Sequence, residues 1–143
     1  MAYWLFKSEP NTWGWDQQKA KGEIGEPWDG VRNYQARNNM RKMKIGDLGF
    51  FYHSVNEKRV VGIVEVCKEI YPDHTDPTGR FEMVDIKAIC DMPTPVTLQM
   101  TKDEPRLEKM ILVNNSRLSV QPVESDEWAL VCQMGGLEDF PTV

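Results

Sequence analysis

Apolar and polar side chains alternate over residues 3–8. Trp4, Phe6 and Ser8 share one side and Tyr3, Leu5 and Lys7 the other, which predicts a first strand that Pro10 stops. Residues 12–20 suit a short helix ending near Gly22, and Gly25, Pro27 and Gly30 mark a loop that carries Trp28. The period changes from Asn33 onward. Ala36, Met40 and Met43 recur at helical spacing behind Asn33, a suitable N-cap, while Arg37, Arg41 and Lys44 repeat the spacing on an adjoining face. Residues 48–54 and the Val/Ile-rich residues 59–70 predict two strands joined by a hairpin loop. Another strand over 81–90 should break at Pro93 and Pro95, followed by two short helical pieces around Pro105 within 96–112. A last strand over 117–123 leads to a helix over 126–134, capped by Ser125 and ended by Gly135-Gly136. This order predicts a single α+β domain over 1–143, a small curved sheet or partial barrel with short helices at its edges.

Charge sharpens the picture. The net charge of -5 excludes a non-specific nucleic-acid coat, yet it is unevenly spread. Residues 1–64 hold ten Lys/Arg against seven Asp/Glu, and 65–143 hold seven against fifteen. Residues 31–44 carry Arg32, Arg37, Arg41, Lys42 and Lys44 without one acid, either a solvated helix face or a local basic patch. Cys67, Cys90 and Cys132 lie far apart in apolar stretches and read as reduced thiols of a cytoplasmic protein. No apolar run spans a membrane, and the first residues lack a secretion signal. His53 and His74 have no metal-ligand spacing, and no phosphate loop occurs, so neither metal nor cofactor is expected.

What remains is a concentration of Arg, Asn, Tyr, Gln, His and Ser in residues 30–38 and 50–54. These types stack on, or hydrogen-bond to, a planar heterocycle such as a nucleobase. Each has a plainer role too. Asn33 caps a helix, His53 can be a strand-end histidine, and Trp13, Trp15 or Trp28 can be loop packing instead of a half-exposed stacking wall. A Ser8–Lys7 nucleophile pair is geometrically poor, because neighbours on a strand face opposite ways.

With those residues laid out, the chain resembles a stand-alone EVE domain, close to the thymocyte nuclear protein family and its bacterial relatives. The blocks that carry the resemblance are YWLFKSEP from Tyr3, WDGVRNYQARN from Trp28, MKIGD from Met43, FYHS from Phe51 and SRLSVQPV from Ser116. They occur in order and cover nearly the whole length. The resemblance implies a PUA-like fold and a reader of modified nucleobases, with modified cytosine in DNA or modified RNA as the ligand. Carried onto matching positions, the base pocket would involve Lys7, Ser8, Trp28, Asn33, Tyr34, His53, Ser54, Arg117 and Leu118. Trp28 or Tyr34 would stack on the base, Asn33, Ser8 and His53 would bond its edge, and Arg32, Arg37 and Arg41 would hold phosphates. The expected protein is a non-enzymatic monomer. The alternative is a small hydrolase of modified nucleosides or acyl-amides using Lys7, Glu9 or His53 as acid and base.

Overall fold

A computed structural model describes residues 2–115 and 117–143. Six strands form one curved, unclosed sheet in the order β2-β5-β4-β3-β1-β6. The strands are β1 (Tyr3–Ser8), β2 (Glu26–Pro27), β3 (Leu48–His53), β4 (Arg59–Pro72), β5 (Glu82–Thr97) and β6 (Val120–Val123). β1 runs parallel to β3, pairing Phe6 with Phe51 and Ser8 with His53, and antiparallel to β6. The α+β class expected from the alternation holds.

Strand alternation divides the interior between the two faces of this sheet. On one face, Tyr3, Leu5, Phe50, Tyr52 and Ile63 meet the helices α3 (Leu98–Asp103), α4 (Ile111–Asn114) and α5 (Ser125–Met134). Trp128 is fully buried there, with its ring stacked on Tyr3 at 4.4 Å and on Phe50 at 4.1 Å. On the other face, Trp4, Phe6, Phe51 and Val64 pack against α1 (Trp15–Ala20), α2 (Tyr34–Arg41) and Trp28. Asn33 is the N-cap of α2, its Oδ1 accepting from the Ala36 N–H at 2.9 Å, and Ala36 and Met40 are fully buried as their spacing predicts.

Four local expectations need correction. β5 continues through Pro93 and Pro95, because its register against β4 slips there (Val60 opposite Val96, Gly62 opposite Asp91), so an irregularity absorbs the prolines. The loop carrying Trp28 contains the two-residue β2, too short to show a period. The helical stretch before β6 splits into three pieces, including a 3₁₀ turn at Pro105–Leu107. α5 starts at Ser125 itself, with Glu124 at the N-cap and its N–H bonded to the Glu127 carboxylate. Ser116, which heads the last sequence block, lies outside the described residues.

Candidate functional site

The C-terminal end of β1 opens into a cleft of about 510 Å³, within the usual range for ligand pockets of roughly 300–1,000 Å³. One wall is the turn after β1. The N–H groups of Thr12 and Trp13 both bond the Glu9 carbonyl at 2.9 Å, and the Ser8 hydroxyl donates to the Trp13 carbonyl. The Trp13 indole N–H donates to Gln18 at 3.0 Å, and Gln18, fully buried, donates on to the Ile86 carbonyl. That chain of bonds fixes Trp13 against the sheet although its ring is only half-buried.

The other wall is the segment 26–32. β2 pairs with Asp85 and Ile86 of β5, and the Trp28 N–H donates to the Val84 carbonyl at 2.7 Å. This approach needs glycine at position 25, where φ is +74° and a Cβ would stand 2.7 Å from the Ile86 carbonyl oxygen. The Trp28 ring then meets Phe6 and Phe51 edge-on at 5.5 and 5.7 Å, leaving 8 % of the residue exposed. Trp13 and Trp28 are therefore the two indoles of the cleft lining.

The polar lining has a defined sign. Glu9, Glu26 and Asp29 bring three carboxylates, and Lys7, Ser8, Thr12, Ser119 and Arg32 complete the polar side. Glu26 is 3.3 Å from the Lys21 ammonium, and Asp29 is 3.6 Å from His74. Arg32 is held by Asp73 at 3.1 Å and by the Thr75 hydroxyl at 2.9 Å, while Asp73 also accepts from the Gly30 N–H at 2.9 Å. Asp73, whose side chain is fully buried, thus ties the Trp28 segment to the loop before β5. Its burial pushes the carboxyl pKa up, but the bonds from Thr75, Gly30 and Arg32 prevail and leave it lowered.

Asp76 organises the same loop. Foremost the Thr78 hydroxyl, with the N–H groups of Thr78, Phe81 and Arg80, lowers its pKa from 3.8 to about 2. A carboxyl depressed by folding stabilises above its unfolded value and loses that contribution as pH falls through the folded one. Thermal melts of wild type and Asp76→Asn should therefore differ most above pH 3.8, and the gap should close as pH drops toward about 2. A gap that stays constant between pH 6 and pH 2 would refute this.

The residues expected from the sequence fall into three groups. Lys7, Ser8, Trp28 and Arg32 line the cleft. Lys7 also reaches the opposite face of the sheet, with its ammonium 5.7 Å from the centre of the Tyr52 ring, and burial lowers its pKa. Asn33, Tyr34, Arg37 and Arg41 sit at or on α2 beside the cleft. The Asn33 carbonyl oxygen is taken by the cap, Arg37 bonds the Arg80 carbonyl and Asn38, and Arg41 is paired with Glu82. Arg117 is exposed, Leu118 is buried and Ser54 is half-buried, and none of the three lines the cleft.

His53 departs furthest from expectation. Its Nε2 accepts from the Trp15 backbone N–H at 3.0 Å, and its Nδ1 lies 3.3 Å from Glu57. It borders a separate recess with Asp16, Arg59 and Asp91, so it is not grouped with Lys7 and Glu9. Sequence reasoning missed Glu26, Asp29 and Ser119. The local signal for the first two was the Trp28-Asp29-Gly30 turn, whereas nothing local announces Ser119. Among the described residues no group of His, Cys, Asp and Glu could hold a metal ion, and no helix is long and apolar enough to cross a membrane.

An open six-stranded sheet with short helices on both faces and an aromatic cleft at the end of β1 is a PUA-like architecture. A distant fold match agrees: the YTH domain of Zygosaccharomyces rouxii MRB1, solved with N6-methyladenosine RNA, has a TM-score of 0.58 at 15% identity over 94% of this chain and 86% of that one. The family model for the EVE domain matches residues 2–134, and the chain belongs to that family. Human thymocyte nuclear protein 1 is 33% identical over 93% of this chain and 73% of its own length. A solved protein from Agrobacterium tumefaciens is similar at 60% identity and a TM-score of 0.96, over 99% of this chain and 98% of that one. The human THYN1 protein, solved in complex with 5-methylcytosine-containing DNA, aligns at 34% identity and a TM-score of 0.87, over 99% of this chain and all of that one.

Proposed function

We propose that this protein is a non-enzymatic reader that takes a modified cytosine, turned out of its stack, into the cleft between Trp13 and Trp28. The observation that carries the reading is the likeness, over nearly the full chain, to a family member solved with 5-methylcytosine-containing DNA. The cleft supports it with two indoles for stacking, carboxylates inside and Arg32 among its lining residues. Arg32 keeps spare donors beyond its bonds to Asp73, Thr75 and the Val31 carbonyl, because a guanidinium carries five N–H groups.

The carboxylates decide which base suits the cleft. Methylcytosine and thymine carry the same ring methyl and differ at the exocyclic edge, where cytosine donates from its amino group and thymine accepts. Carboxylates accept from that amino group and repel the thymine oxygen, and an edge contact of this kind discriminates by about 1–3 kcal/mol. Glu26 and Asp29 are the acceptors of choice on the Trp28 wall. The methyl itself contributes only about 0.8 kcal/mol when buried, a factor of roughly four. The expected order is methylcytosine over cytosine by a few-fold, and methylcytosine over thymine by more.

Fluorescence titration with matched DNA and RNA strands differing at one base would test this. Single strands should bind more tightly than duplexes, since turning a base out of a duplex costs a few kcal/mol. Thymine bound as well as methylcytosine would defeat the carboxylate assignment. A flat response to every strand would defeat the reader.

A further inference from the structure

Beside the cleft lies an aromatic and cationic surface that the pocket does not use. Tyr34, the first residue of α2, is 50% exposed, and among the described residues it is the one aromatic among the exposed large hydrophobic side chains. Its ring is not loose. Phe81, itself 9% exposed, lies beneath it with centroids 4.9 Å apart and planes 30° apart. The Arg37 guanidinium sits 4.8 Å from the Tyr34 ring centre and 6.0 Å from that of Phe81, and the Arg80 carbonyl and Asn38 hold it there. Phe81 is in turn fixed through its N–H to Asp76.

One residue joins this surface to the cleft. Arg32 lines the cleft, and its guanidinium carbon lies 5.4 Å from the Phe81 ring centre, under Tyr34. A strand leaving the cleft past Arg32 therefore meets Tyr34 and Arg37 next. The arrangement offers a π-face for a base and a cation beside it for a phosphate, the two elements of single-strand binding platforms. Because Phe81 and Arg37 already hold the ring, little side-chain freedom is lost on stacking.

We infer that Tyr34 and Arg37 form a second nucleic-acid subsite, which stacks the nucleotide neighbouring the base in the cleft. It rests on the reader function proposed above. Stacking tolerates any base, so the subsite adds affinity for a strand without adding sequence preference. It also moves Tyr34 out of the base pocket itself and onto the flanking base.

The test compares wild type with Tyr34→Ala and Tyr34→Phe, all checked for an unchanged melting temperature. Free methylcytidine and a methylcytosine strand carrying 2-aminopurine on either side of the modified base serve as ligands. Wild type should change the 2-aminopurine fluorescence and bind the strand more tightly than the nucleoside. Tyr34→Ala should abolish the fluorescence change and weaken strand binding roughly 5- to 150-fold, with nucleoside binding kept. Tyr34→Phe should behave as wild type, since the ring and not the hydroxyl does the stacking. Strand binding undiminished in Tyr34→Ala overturns the subsite while leaving the cleft intact. Absence of wild-type binding to both nucleoside and strand overturns the cleft reading, and the subsite with it.

Discussion

Replacing Trp13 by alanine is expected to weaken binding of a methylcytosine strand by roughly 5- to 150-fold, the cost of losing one stacking ring of about 1–3 kcal/mol. The same change at Trp28 would be less informative. Trp28 is 8% exposed and packs edge-on against Phe6 and Phe51, so its removal opens the core under the cleft as well. Trp13 is only half-buried, so although its loss takes the indole donor from the buried Gln18 oxygen, it should lower the melting temperature less than loss of Trp28. Fluorescence anisotropy with a labelled strand, run beside a thermal melt, separates the two effects. Wild-type affinity in Trp13→Ala would show that the ligand does not enter between the indoles.

The largest effect on stability should come from the opposite face of the sheet. Trp128→Ala is expected to cost about 3–5 kcal/mol, the range for removing a fully buried tryptophan. In a chain of this length that is a fall of roughly 10–15 °C in melting temperature. Its ring is layered between Tyr3 and Phe50, and its N–H donates to the Pro141 carbonyl at 3.0 Å. The substitution therefore leaves a cavity, unstacks two rings and removes the bond to Pro141 in the C-terminal tail at once. A loss below about 1 kcal/mol by urea unfolding would mean that the face repacks, contrary to the density of native cores.

These two tryptophans show what the sequence could reveal. The helix that carries Trp128 was legible between its Ser125 start and its Gly135-Gly136 end, and the Asn33 cap because a cap is settled within four residues. The two faces of β1 followed from alternation alone. Contacts between distant segments were not legible. Sequence placed His53 at the end of a strand, but did not show that the Trp15 N–H, 38 residues away, would occupy its ring nitrogen. Glu26 and Asp29 enter the cleft through a strand of two residues, below the length at which any period can be read. The site was recognised as a kind of chemistry before its members could be placed.

The prolines that hid the full length of β5 also say something about this molecule in company. An unclosed sheet has two rims, each a template on which another chain can crystallise its own backbone. Here both rim strands, and β5 beside β2, carry a residue with no N–H to offer: Pro27 in β2, Pro122 in β6, and Pro93 and Pro95 in β5. An incoming strand finds gaps in each ladder it tries to extend. The open sheet thus carries, in its own rim residues, a guard against edge-to-edge growth.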